Sequence, residues 1–177
     1  MINKENMIFK DMLAGNDRFA QGETSVNLAD QILFESLSKG QHPKAAIISC
    51  SDSRVIPEYI FDQGIGALFV IRIAGNVFTA TVIESLTLAV KDLGVNTVVV
   101  MSHTNCGAVK SALNGGNSLI TDEISRSGEF EKHHAEELTI QNARNVALEI
   151  DERFDVDVFA LNYELSTRKV NIIEVQS

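Results

Sequence analysis

Short aliphatic runs alternate with segments of helical periodicity along most of the chain. The runs "KAAIIS", "ALFVIRIAGN" and "NTVVVMS", at 44–49, 67–76 and 96–102, have the length and composition of buried strands. Between them lie "VIPEYIFDQ" and "TATVIESLTLAVKDLG", which have the apolar spacing of helices. Strands that are apolar on both faces need helices on both sides. The alternation therefore predicts an α/β fold with a mainly parallel central β-sheet flanked by helices.

The remaining segments extend this pattern to both ends of the chain. Amphipathic helices are predicted over 6–19, 27–40 and 130–154, a short helix over 106–116, and two terminal strands over 156–165 and 168–175 that form a hairpin or an edge pair. No internal repeat or linker divides the sequence, and 177 residues fit one compact core. We therefore expect residues 1–177 to form a single domain.

The net charge of the chain and the composition of its first residues indicate its partners and its compartment. With 24 acidic and 15 basic residues the formal net charge is −9, which argues against nucleic acid or an anionic membrane as a partner. The first 23 residues carry scattered charges and no continuous apolar stretch, which predicts neither a secretory signal nor a membrane anchor. A cytoplasmic protein with a small-molecule substrate is the expectation.

The only two cysteines, Cys50 and Cys106, follow the first and third predicted strands. Asp52 and Arg54 come just after Cys50, and His103 precedes Cys106 by three residues. Ligand sites in open α/β sheets form beyond the carboxyl ends of the strands, where these side chains would converge. Two thiolates and an imidazole suit Zn²⁺, and three protein ligands leave the fourth position for water or substrate. The sequence thus predicts a catalytic zinc site.

Asp52 has two possible positions in such a site. It could take the fourth coordination position of the metal, in a closed state, or lie beside a metal-bound water. The Arg54 guanidinium can hold a carboxylate in a bidentate pair, which favours the second arrangement. A purely structural ion pair between the two residues is a further alternative.

The motifs "CSDSR" at 50–54 and "HTNCG" at 103–107 together resemble those of β-class carbonic anhydrases. The similarity extends over nearly the whole chain. It implies a carbonate dehydratase, a zinc hydro-lyase that reversibly hydrates carbon dioxide to bicarbonate and a proton. It further implies Zn²⁺ held by Cys50, His103 and Cys106, with the Asp52/Arg54 dyad orienting a zinc-bound hydroxide.

The resemblance also assigns substrate-binding residues and an assembly. Gln41 matches a glutamine that hydrogen-bonds the substrate, and Phe69 and Ala74 match positions that line the apolar carbon dioxide pocket. A homodimer or homotetramer is implied, with the site at the subunit interface and the N-terminal helices packing on a dimer partner. The chain departs from the family pattern at Ile73 and Ser102, where asparagine and glycine are usual.

Two alternative functions would use the same zinc-binding scaffold. The same scaffold could hydrolyse carbonyl sulfide or carbon disulfide, because a zinc-bound hydroxide can attack any linear electrophilic molecule of that size. A closed, non-catalytic zinc-binding paralogue would keep Asp52 on the metal. A cysteine-dependent phosphatase or a redox protein is disfavoured, because neither a C-x₅-R nor a C-x-x-C motif is present.

Overall fold

One five-stranded sheet with helices around it forms the described part of the chain. The computed structural model describes residues 6–25, 31–128, 130–131 and 133–175, without the side chains of 31–33. The helices are α1 (Met7–Gln21), α2 (Gln31–Leu37), α3 (Pro57–Ile60), α4 (Ala80–Lys91), α5 (Gly107–Leu113), α6 (Leu119–Ser125) and α7 (Ala135–Arg153). The strands are β1 (Ala45–Ser49), β2 (Leu68–Arg72), β3 (Thr97–His103), β4 (Asp157–Glu164) and β5 (Lys169–Ile173).

The strand order is β2-β1-β3-β4-β5. The pairs β1–β2, β1–β3 and β3–β4 are parallel, whereas β5 forms an antiparallel hairpin with β4 at one edge. The prediction of a mainly parallel central sheet flanked by helices is confirmed. In the central pair Ser49 lies opposite Met101, so β1 and β3 end at the same edge of the sheet.

The two faces of the sheet are buried against different helices. Alternate residues such as Ile48 and Val100 pack with α4 and α7, while Ile47 and Met101 pack with α1 and α3. All residues of β1 and β3 are buried, which explains why these runs are almost continuously aliphatic.

The first helix packs on the sheet of its own chain. Asn6 caps its N-terminus by accepting a hydrogen bond from the backbone N–H of Phe9 at 2.9 Å. The Phe9 ring is stacked on Phe159 of β4 with centroids 3.8 Å apart. Packing of the N-terminal helices on a dimer partner stays a prediction, and residues 27–30 of the second predicted helix lie outside the described residues.

Two differences from the predicted elements lie near the metal-ligand motifs. The strand predicted from residue 67 ends at Arg72, because Gly75 and Asn76 have positive φ angles and form a single 3₁₀ turn, Ala74–Asn76. The polar segment after residue 116 contains α6, which the apolar pattern did not predict. Within the described ranges no helix combines the length and the apolar character needed to cross a membrane.

Candidate metal centre

The carboxyl ends of β1 and β3 bring three candidate ligands together. Cys50 directly follows β1, His103 is the last residue of β3, and Cys106 precedes the first residue of α5. Their donor atoms all lie within 4.8 Å of one another, and the three residues are between 0 and 4% exposed. Parallel pairing of the two strands accounts for this convergence of residues more than fifty positions apart.

The distance between the two sulfur atoms fits a shared metal ion. Cys50 Sγ and Cys106 Sγ are 3.9 Å apart. Two thiolates bound at about 2.3 Å to a tetrahedral zinc ion lie about 3.8 Å apart, whereas a disulfide bond is about 2.05 Å long. Both cysteines are free, so the pair has the spacing of co-ligands.

The His103 ring has the tautomer and orientation of a metal ligand. Nδ1 lies 2.9 Å from the carbonyl oxygen of Thr104, and since a carbonyl only accepts, Nδ1 carries the proton. Nε2 is therefore the lone-pair nitrogen, and it is buried with no hydrogen-bond partner among the described residues. An unpartnered buried nitrogen is costly unless something else binds it. A metal ion between the two sulfur atoms would satisfy it.

The two thiol groups differ in acidity. Hydrogen bonding from the Cys106 thiol lowers the pKa of the Cys50 thiol, against the opposing effect of burial. The same hydrogen bond and burial raise the pKa of Cys106. This arrangement favours the thiolate form of Cys50, which is the anionic soft donor that a metal ion such as zinc requires.

Gly75 brings a backbone donor close to Cys50. Its N–H donates to Cys50 Sγ at 3.3 Å. Its φ angle is +68°, and a Cβ atom built at this position would lie 2.6 Å from Ile124 Cδ1. Only glycine fits both the conformation and the space. The sequence contained this signal as the glycine of "RIAGN", although the contact itself could not be read from it.

Asp52 and Arg54 form a bidentate pair beside the candidate ligands. Arg54 Nε donates to Asp52 Oδ1 at 2.9 Å, and Arg54 Nη2 donates to Oδ2 at 2.8 Å. These hydrogen bonds hold the pKa of Asp52 well below its usual range, despite partial burial. Oδ2 also lies 3.9 Å from His103 Nε2. An ionised carboxylate therefore faces the centre while its arginine partner restrains it.

Arg72 fixes the backbone of the same loop, a contact that sequence patterns did not predict. Its Nε donates to the carbonyl of Cys50 at 3.2 Å and its Nη2 to that of Asp52 at 2.6 Å. Arg72 is the last residue of β2, which pairs with β1 in register Ser49↔Arg72. Its side chain thus reaches the loop that leaves the neighbouring strand.

The three predicted substrate-binding residues lie at different distances from this cluster. Ala74 begins the turn whose next residue contacts Cys50. Phe69 is half-buried on β2, opposite Ala46, and packs into the core on the side of α4 and α7. Gln41 is exposed and precedes β1, so the length of this strand, about 17 Å, separates it from Cys50 within one chain. The structure brings Ala74 to the cluster but not Gln41.

Comparison with known proteins gives one consistent result. The family model described as "Carbonic anhydrase" matches residues 45–170. The chain is 37% identical over 162 residues to carbonic anhydrase 2 of Mycobacterium tuberculosis, and this match covers 79% of this chain and 78% of that protein.

Solved structures agree on the fold. A β-carbonic anhydrase of Aspergillus fumigatus superposes with a TM-score of 0.72 at 24% identity, covering 96% of this chain and 92% of that one. One of two tetrameric β-carbonic anhydrases from Sordaria macrospora gives a TM-score of 0.70 at 20% identity, covering 93% and 96%. The family match spans more than two thirds of the sequence and includes every residue of the Cys-His-Cys cluster. The chain therefore belongs to the β-class carbonic anhydrase family.

Proposed function

We propose that this protein is a zinc-dependent carbonic anhydrase that reversibly hydrates carbon dioxide to bicarbonate and a proton. The observation that carries the proposal is the buried Cys50, His103 and Cys106 cluster with an arginine-held carboxylate beside it. Cys50 Sγ, Cys106 Sγ and His103 Nε2 would hold the ion. Zinc bound there would lower the pKa of a coordinated water from about 15.7 to roughly 7.

Asp52 would act as a hydrogen-bond acceptor that orients the attacking water. Each oxygen of an ionised carboxylate has room for more than one hydrogen bond, so Oδ2 can accept another besides that from Arg54 Nη2. Arg54 would keep the carboxylate in this position and prevent it from becoming a ligand. The bidentate geometry supports an open centre over the closed, non-catalytic alternative.

The substrate would bind on the apolar side of the centre. Carbon dioxide has no net dipole, and we propose that Ala74 and Phe69 line its pocket. The half-exposed edge strand β2, which carries Phe69, supports a pocket completed by another surface. Gln41 of a second copy of the chain would hydrogen-bond the substrate or the product, because Gln41 of the same chain lies at the other end of β1 from Cys50.

A homodimer, or a tetramer built from dimers, follows from this role of Gln41. Ile56, Tyr59 and Ile65 are large apolar residues that are 38, 49 and 38% exposed. They lie on and around α3, between the Asp52 loop and β2 in the sequence, and a second copy bound there would bring its Gln41 to the centre. We propose this surface as the dimer interface.

The extent of the domain and its compartment are further parts of the proposal. The described strands form one sheet, which supports a single domain over residues 1–177. Two free thiols in one cluster are suited to a reducing compartment, and we propose the cytoplasm.

Stopped-flow hydration of carbon dioxide by zinc-quantified protein tests the proposed activity. We expect a rate proportional to bound zinc, which is lost when zinc is removed by a chelator and restored when it is added back. Parallel assays with carbonyl sulfide and carbon disulfide compare kcat/KM for the three substrates. Zinc-loaded protein that hydrates no carbon dioxide would contradict the proposal, and a higher kcat/KM for either sulfur substrate would reassign it.

A further inference from the structure

Thr104, the residue after the candidate ligand His103, is fixed through every polar group it has. Its carbonyl accepts the hydrogen bond from His103 Nδ1 at 2.9 Å, and its N–H donates to the carbonyl of Tyr163 at 3.0 Å. Its hydroxyl donates to Glu164 Oε1 at 3.1 Å and accepts from the N–H of Leu165 at 3.1 Å. Thr104 is only 6% exposed. All of its partners except His103 lie at the carboxyl end of β4.

Glu164 is itself held in place at this end of β4. Its Oε1 accepts hydrogen bonds from the Ser166 hydroxyl at 2.8 Å and from the Ser166 N–H at 3.2 Å. Ser166 lies in the turn that joins β4 to β5. The carboxylate thus ties the Thr104 hydroxyl to the terminal hairpin, sixty residues further along the chain.

We propose that Thr104 is a positioning residue for His103. Its hydroxyl, anchored by Glu164 and Leu165, fixes the carbonyl that binds the Nδ1 proton. This keeps the ring in one tautomer with Nε2 directed toward the two sulfur atoms. The inference rests on the proposed role of His103 as a metal ligand. Groups that orient a ligating histidine typically change metal affinity by about 10–100-fold when they are removed.

The experiment compares three substitutions. Thr104→Val removes the hydroxyl with little change in shape, and Thr104→Ser keeps it. Thr139→Val is the matched control, because Thr139 is also a buried threonine, 4% exposed, whose hydroxyl donates only within α7, to the carbonyl of Ala135 at 2.7 Å. Zinc affinity is measured by competition with a chromophoric chelator at fixed pH. We expect about 10–100-fold weaker binding for Thr104→Val and wild-type binding for the other two variants.

Nitrogen NMR of the His103 ring in zinc-free protein gives a second readout. The wild type and Thr104→Ser should show the tautomer protonated at Nδ1, and Thr104→Val a mixture of both tautomers. If Thr104→Val does not fold, Glu164→Ala removes the acceptor of the Thr104 hydroxyl instead, with the same expected direction.

Three outcomes would overturn the inference. The first is wild-type zinc affinity in Thr104→Val, or in Glu164→Ala where that variant takes its place, and the second is an unchanged His103 tautomer in the same variant. The third is an equal loss of zinc affinity in Thr139→Val. Wild-type protein that binds no zinc would instead contradict the proposed function, so the two failures can be told apart.

Discussion

At the scale of single residues, the position of Asp52 separates a reactive centre from a closed one. Its Oδ2 lies 3.9 Å from His103 Nε2, near enough to compete for a metal ion after a modest rotation. Arg54 occupies both carboxylate oxygens and raises the cost of that rotation. Because Arg54 is 52% exposed in its side chain, its effect depends on bidentate geometry more than on burial.

Replacing Arg54 tests this restraint. In Arg54→Ala we expect Asp52 to bind zinc and carbon dioxide hydration to be lost, while zinc content stays near one per chain. Arg126→Ala is the control, because it removes another exposed arginine paired with a carboxylate, Glu123, at 2.7 Å. Stopped-flow rates and metal analysis give the answer. Full activity in Arg54→Ala would remove the dyad from the mechanism.

At the scale of secondary-structure elements, the turn after β2 contributes to the candidate metal centre together with the strands β1 and β3. Gly75 in this turn donates to Cys50 Sγ, and its carbonyl accepts from Asn142 Nδ2 of α7 at 2.8 Å. The turn is therefore fixed between the Cys-His-Cys cluster and helix α7.

Substitution of Gly75 should destabilise the protein through both backbone strain and a steric clash. Gly94 has a similar φ angle of +71°, but a Cβ atom placed there would meet open space, so Gly94→Ala reports the strain alone. We expect a loss of about 1–2 kcal/mol for Gly94→Ala and about 1–3 kcal/mol more for Gly75→Ala, because of the contact with Ile124. Urea unfolding of zinc-free protein measures both values. Equal losses would show that the turn tolerates a side chain.

The sequence predicts the elements of this fold better than their contacts. Continuous aliphatic runs identify β1 and β3, and the residues at their ends identify the Cys-His-Cys cluster. Helix α6 is missed because Leu119 is 81% exposed and only Thr121 and Ile124 are buried, which leaves little apolar periodicity. Ser118, its N-cap, was the available signal. The Thr104–Glu164 contact depends on strand register across sixty residues, which local patterns do not specify.

At the scale of the whole molecule, the proposed substrate site requires a second copy of the chain. The Cys-His-Cys cluster lies at the carboxyl ends of the parallel strands, and Gln41 lies before the amino end of β1. The exposed apolar side chains on and around α3 follow the Asp52 loop in the sequence. A second copy bound there would cover these side chains and, under the proposed function, supply the amide of Gln41.

A charge placed on this surface should therefore separate the subunits. We expect the wild type to have a solution mass of at least twice 19.4 kDa, and Tyr59→Glu to shift toward the monomer with reduced hydration activity. Leu119→Glu, at an exposed apolar position on α6, should change neither property. Light scattering coupled to size-exclusion chromatography measures the mass. An unchanged mass for Tyr59→Glu would place the interface elsewhere.

The proposed zinc centre is tested most directly by X-ray absorption at the zinc edge of protein that contains one zinc per chain. We expect two sulfur neighbours at about 2.3 Å and one nitrogen neighbour at about 2.0–2.1 Å, with a light atom in the fourth position. Cys106→Ala should lose one sulfur neighbour from this shell. A wild-type spectrum without sulfur, or one unchanged in Cys106→Ala, would contradict a metal site built from the ends of β1 and β3.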